Sequence, residues 1–321
     1  MSFELILPFL RPIEPLLLDE SISEIMGNPD ASWWYERDGI IHREKTISFA
    51  AGKLRTGLEV IANQLGKRLD EDNPILHAQL PDGSRLAAVI PPVVRLTPAL
   101  IIRKFTSRHY TVDDLIARST LTRPLADFLA EQIRSGKTLL ISGGTGTGKT
   151  TLLRILADFI PDHERIVVIE DTSELQIQKP NILAVECQTD TFKANITFDD
   201  LLKSSLRWRP DRIIMGEVRG IEARTLLDSF NTGHAGSLAT IHANSAEKAL
   251  HRFANLVMRN HTQTTFSDTE AEIGEAVDFV VHVERQPGRR ILREVLALRG
   301  YDRDAKRFLI EPVFEVKHAT T

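Results

Sequence analysis

Through the first hundred residues the apolar positions keep changing their period. Leu16, Leu17, Ile22, Ile25 and Met26 fall at helical spacing, with Asp19 and Ser21 placed as caps, so this stretch predicts a helix. Ser32–Tyr35 and Gly39–His42 then read as short strands around a charged turn. A helix is predicted from about Gly52 to Leu65, with Leu54, Leu58, Ile61 and Leu65 on one face. Asp82-Gly83 is a hairpin turn joining Ile75–Leu80 to Arg85–Ile90. Pro91, Pro92 and Pro98 interrupt the pattern, and Leu100–Lys104 resumes it as a strand.

A second rhythm begins near residue 121. Strands and helices alternate there, the pattern of a parallel α/β domain. Pro124–Ser135 is a predicted helix, Thr138–Ser142 a buried strand, Lys149–Phe159 a helix and Arg165–Ile169 a strand. Thr197 caps a helix over Phe198–Trp208, which Pro210 stops, and Arg212–Met215 is again a strand. Glu222–Asn231, Ser237–Ile241 and a helix capped by Ser245 follow. The tail, Phe279–Glu284, Pro287-Gly288 and Ile291–Leu298, reads as a hairpin. The expected division is therefore an α+β domain over 1–105, a linker over 106–120 and an α/β domain over 121–321.

Composition changes this picture little. At 321 residues the chain is long for one domain, and its 42% hydrophobic and 26% charged residues suit a globular protein. A net charge of -4 gives no overall attraction to nucleic acid, so direct nucleic-acid binding is not expected. The single cysteine, Cys187, excludes a disulfide framework or a four-cysteine zinc module and fits a reducing cytosol. The start lacks the features of a signal peptide, and no stretch reaches the roughly 18 apolar residues of a membrane span.

Chemistry concentrates in the second domain. Gly143, Gly144, Thr145, Gly146, Thr147, Gly148, Lys149 and Thr150 match a phosphate-binding loop at every defined position, between a predicted strand and helix. The glycines let consecutive backbone N–H groups face one anion, at the positive end of a helix. Lys149 is expected to neutralise the β- and γ-phosphates of ATP, and the Thr150 hydroxyl to ligate Mg²⁺; Thr151 completes the binding segment. Glu170-Asp171-Thr172 ends a strand expected beside the loop's own, where a carboxylate can orient water or hold magnesium. Glu217 ends the run Arg212–Glu217 in the same way, with Gly216 standing where an aspartate usually holds the metal.

His234 and His242 lie around a short strand, where either could sense a γ-phosphate. Their spacing suits shared zinc ligation poorly, and no zinc is expected. Arg85, Arg103, Arg207, Arg209, Arg212 and Arg219 are candidate phosphate contacts, since a guanidinium stays charged and forked.

Taken in order, the loop, Ile169-Glu170-Asp171-Thr172, Met215-Gly216-Glu217-Val218-Arg219 and Thr232-Gly233-His234 with Thr240-Ile241-His242 resemble the secretion-system ATPase family that includes GspE and PilT. The family calls these motifs Walker A, Asp box, Walker B and His box, and its Walker B carries the same glycine. Leu80–Arg85, Pro91-Pro92 and Arg103-Lys104 are similar to the type IV secretion and Tad branch, with TrbB-type conjugation ATPases closer than CpaF-type pilus motors. The resemblance implies a C-terminal RecA-like P-loop NTPase domain with a smaller N-terminal α+β domain, and ATP held between the two. It implies that Arg85 and Arg103 reach the nucleotide, that Glu170 and Glu217 activate water or organise magnesium, and that His242 senses the γ-phosphate. It implies a cytoplasmic homohexameric ring, peripheral on the inner membrane through membrane components of its machine. A RecA-core nucleic-acid translocase and a nucleotide-responsive scaffold without turnover are the rival readings.

Overall fold

The computed structural model of the chain describes residues 6–37, 39–105, 110–188, 195–259, 264–286 and 288–316. It divides into two compact units, Met1–His109 and Tyr110–Thr321.

In the first unit two 3₁₀ turns lead into α1 (Glu14–Leu18), followed by β1 (Ile22–Gly27), β2 (Trp33–Arg37), β3 (Ile40–Glu44), α2 (Lys53–Gln64), β4 (Ile75–Gln79), β5 (Arg85–Val89) and β6 (Ala99–Arg103). The strands form one antiparallel sheet in the order β3-β2-β1-β6-β5-β4. Leu54, Leu58 and Ile61 of α2 pack with Ile25, Leu76, Leu86 and Ile102 of the sheet in one core.

Only the first turn of the helix expected across Leu16–Met26 is there. It stops at Leu18, where the Asp19 carboxylate accepts the Ser21 N–H (2.9 Å) and hydroxyl (2.5 Å), a turn that competes with helix. The chain then enters β1, whose register against β2 shifts between Ile22 and Glu24. One residue inserted in the pairing turns Ile22 and Ile25 to the same buried side, so a bulged strand reproduces the three-residue spacing of a helix.

The second unit contains α3 (Val112–Ala117), α4 (Arg123–Arg134), β7 (Leu139–Gly143), α5 (Lys149–Ala157), β8 (Ile166–Glu170), β9 (Ile182–Glu186), α6 (Phe198–Ser205), β10 (Arg212–Val218), α7 (Glu222–Asn231), β11 (Leu238–His242), α8 (Ala246–Met258), α9 (Phe266–Ala276), β12 (Phe279–Gln286), β13 (Arg289–Asp302) and β14 (Arg307–Glu315). The sheet order is β14-β13-β12-β7-β11-β10-β8-β9. From β12 to β9 every pairing is parallel, and β13 and β14 extend the edge antiparallel. Successive residues of the central strands enter opposite cores. Leu140, Val167, Ile213 and Ala239 pack on the α6–α9 side, whereas Leu139, Ile141, Ile166 and Ile214 pack on the α3–α5 side. Burial on both faces explains why these strands read as unbroken apolar runs. This is the α/β, RecA-like architecture expected for the C-terminal domain.

Of the linker expected over 106–120, residues 106–109 lie outside the described residues, as does Pro287 of the expected hairpin turn. From Thr111 the stretch is instead the helix α3, closed by a capping box with Asp114, and Leu115 is buried in the core of the second unit. Three further elements were not expected. The strand β9 is a half-exposed edge, α9 is polar with a Thr265 cap, and β14 is mostly exposed.

Candidate functional site

The strand β7, buried at all five positions, delivers Gly143 to the start of the phosphate-binding loop, and α5 begins at Lys149. Gly146 and Gly148 take φ of 69° and 92°, left-handed values that let successive N–H groups turn to one side. The buried Lys149 side chain lies back along the loop, its Nζ donating to the carbonyls of Gly143 (3.0 Å) and Gly144 (2.8 Å). The Thr147 hydroxyl donates to Gly144 O at 3.0 Å, and Thr145 is exposed. Thr150 and Thr151 occupy the first turn of α5, half-buried. A cation, a row of backbone donors and a helix N-terminus thus converge where an anion would sit.

Gly143 is also the register partner of His242 at the end of β11. His242 Nε2 lies 3.0 Å from Glu217 Oε1, and Arg219 donates to the other oxygen of Glu217 at 2.6 Å. Arg219 reaches on to Asp171 at 3.3 Å. Burial and the Lys149 ammonium hold the His242 imidazole below its usual range, with the Glu217 carboxylate pulling the other way. The ring is therefore neutral near pH 7 and can donate one hydrogen bond to Glu217.

Glu170 requires a correction. Its strand β8 is not beside β7, because β11 and β10 stand between them. A strand inserted between the loop strand and the two acidic strands was not visible in the order of motifs. Glu170 lies instead against Gly216, its carboxylate accepting the N–H groups of Glu174 and Leu175 at 3.0 Å each. Burial pushes this carboxyl up to about 7 despite those two bonds. The odd glycine of the acidic strand now has a reason: a Cβ at position 216 would come within 3.1 Å of Glu170 Cγ.

The remaining candidates separate. The His234 carbonyl accepts from Ser237 Oγ at 2.6 Å, and its Nδ1 lies 3.3 Å from Ser229 O, so the structure places it in the turn that ends α7. Arg212 is buried at the start of β10, paired with Glu164 and donating to Gly236 O, far along the strand from Glu217. Arg209 is exposed, with Asp211 at 3.8 Å, and Arg207 is exposed as well. In the N-terminal unit Arg85 and Arg103 are register partners, and Arg103 pairs with Glu24 at 2.8 Å. Cys187 is half-buried and its thiol is pushed up to about 12, chiefly by burial, which leaves no thiolate near neutral pH.

Sequence reading passed over Arg285 and Arg290. They face each other across the β12–β13 pairing, and Arg290 Nε donates to Gly146 O at 3.0 Å. Nothing in their spacing marks them, because the parallel pairing of β12 with β7 is what carries them to the loop.

Residues 10–291 match the family model described as type II/IV secretion system protein. The conjugal transfer protein TrbB of Rhizobium radiobacter is 38% identical over 289 residues, 88% of this chain and 85% of that one. The VirB11 ATPase of the Brucella suis type IV secretion system, solved with sulphate, superposes with a TM-score of 0.50 at 27% identity, over 91% of this chain and 94% of that one. The DotB ATPase of Legionella pneumophila shares the fold alone, with a TM-score of 0.64 at 18% identity over 90% of this chain and 80% of that one. With its phosphate-binding loop, acidic strand ends and His242 in these positions, the chain belongs to the type II/IV secretion system protein family and is an ATPase of it.

Proposed function

We propose that the chain hydrolyses ATP to drive transfer through a type IV secretion or conjugation machine, working as a homohexameric ring held peripherally on the inner membrane by membrane components. The observation that carries the catalytic half is the lateral run Gly143–His242–Glu217–Arg219, which joins the phosphate loop to a carboxylate through a neutral imidazole. In this reading the backbone N–H groups of 143–149, with Lys149, Thr150 and Thr151, bind the phosphates, and Glu217 orients and deprotonates the attacking water. His242 changes partner from Glu217 to the γ-phosphate when triphosphate is bound. Arg85 and Arg103 are the candidates that would meet the same phosphate from the N-terminal unit.

The donors suit magnesium. Thr150, Glu170 and Glu217 offer oxygen only, the set a hard cation takes, and a cation near Glu170 would lower a carboxyl that burial now holds at about 7. Thr150, Glu217 and Glu170 are the residues that would hold the metal. Magnesium, when bound, would neutralise charge developing on the transferred phosphoryl group.

Among the described residues no helix is long and apolar enough to cross a membrane, which fits attachment from the side. The test is solution mass by light scattering with and without Mg²⁺ and a non-hydrolysable ATP analogue, run beside ATP turnover. A particle of roughly six chains with turnover supports the ring motor. A monomer under both conditions counts against the ring, stimulation by single-stranded DNA favours a translocase, and a ring without turnover favours a scaffold.

A further inference from the structure

We infer that Arg290 is a positioning residue for the phosphate-binding loop, holding the Gly146–Thr147 peptide so that the Thr147 N–H faces the nucleotide's β-phosphate. The inference rests on reading the loop as the nucleotide site.

Its basis is how closely the β12–β13 hairpin backs the loop. A Cβ on Gly143 would fall 2.5 Å from Val283 O, one on Gly146 3.2 Å from Arg285 Nη1, and one on Gly148 3.2 Å from Arg290 Cδ. Three glycines of the motif therefore lie against three residues of one hairpin. In the first two cases the neighbour comes from β12, and in the third from β13. The hairpin forms the outer wall of the loop, and the absence of side chains lets it approach.

Within that wall one bond is directional. Arg290 Nε donates to Gly146 O at 3.0 Å. In a planar trans peptide the carbonyl and the following N–H point opposite ways, so fixing Gly146 O toward the hairpin turns the Thr147 N–H away from it, into the loop. Gly146, at φ 69°, is the residue at which this peptide could otherwise rotate at little cost. A guanidinium keeps its charge at every working pH and polarises the peptide it binds, which strengthens the donor on the far side. Arg285 adds a second positive charge on the same wall. Arg289, on the same turn, is directed elsewhere, its Nε donating to Gln286 Oε1 at 2.9 Å.

Because the Gly146–Thr147 peptide serves the β-phosphate, which ADP and ATP share, the arginine acts on binding more than on the chemical step. The experiment measures ADP affinity by displacement of a fluorescent nucleotide, together with steady-state ATP turnover, on the full chain. Arg290→Ala is expected to raise both the Kd for ADP and the KM for ATP about tenfold, the size of one charge-assisted hydrogen bond, with kcat held within about twofold. Arg290→Lys, which keeps a cationic donor, recovers part of the affinity, and Arg289→Ala behaves as the parent. Should Arg290→Ala unfold, Arg290→Gln, which keeps an amide donor without the charge, is expected to show the same loss at smaller size. Parent-like Kd and KM in a folded Arg290 variant overturn the proposal, as does a loss confined to kcat. Lys149→Ala separates the two levels: if that variant still turns over ATP, the nucleotide-site reading itself fails, whatever Arg290 does.

Discussion

His242 stands 3.0 Å from Glu217 through its side chain while its backbone is the register partner of Gly143. One residue thus spans the gap between the acid and the first glycine of the phosphate loop. Its position is set by strand pairing rather than by a flexible loop, so the distance between acid and loop is a property of the sheet.

Glu217→Gln should keep nucleotide affinity near the parent value and slow hydrolysis by about 10²-fold or more, the range for loss of a general base. Phosphate release and nucleotide binding measured on the same preparation check this. Unchanged turnover would move the role to Glu170, whose Glu170→Gln variant belongs in the same series.

Lys149→Ala should abolish turnover and weaken ATP more than ADP, since the ammonium serves the γ- as well as the β-phosphate. The ammonium donates to the Gly143 and Gly144 carbonyls, so a modest fall in melting temperature should accompany its removal. Near-normal activity would remove the phosphate loop from the mechanism.

Restoring the usual acid by Gly216→Asp should destabilise the protein by about 1–3 kcal/mol, the usual cost of overpacking, because Glu170 Cγ occupies the space. Thermal melting of Gly216→Asp, Glu170→Ala and the double variant checks it. The two changes should be far from additive, the second relieving part of the first. Strict additivity would mean that the glycine has another reason.

Acid should loosen the sheet beside the loop. His282 of β12 is buried with its Nδ1 2.9 Å from Ser142 Oγ, and burial depresses its imidazole, with Glu294 and Glu284 opposing and Lys149 and Arg293 reinforcing. A depressed folded value means that the unfolded chain takes up the proton first as pH falls. The stability is present above about 6.5 and is lost below it. Melting temperatures across that range should fall more steeply for the parent than for His282→Gln, and parallel slopes would rule His282 out.

Much of this site was legible before any coordinates. The loop, Glu217 and His242 announce themselves because each ends a short apolar strand, and a strand buried on both faces leaves an unmistakable run of valine, leucine and isoleucine. Leu139–Ile141 is such a run, and Ile213-Ile214 begins another that Met215 continues. What could not be read was order across the sheet, since residues adjacent through hydrogen bonds need not be near in sequence. Glu170 was set two strands too close to the loop for that reason, and Arg290 was missed altogether. Ile22 and Ile25 misled differently: a bulge in β1 gives a strand the spacing of a helix, and only the pairing with β2 tells them apart.

The middle position of Gly143, between His242 on β11 and Val283 on β12, has a mechanical consequence. His242, the loop and the backing hairpin are rungs of a single ladder, tied by peptide groups that every residue but proline supplies. Side chains on either flanking strand can therefore change without altering the spacing of the three parts. Proline at Ile241 or His282 would instead cut a rung, and would uncouple the parts while leaving His242, Glu217 and the loop residues in place.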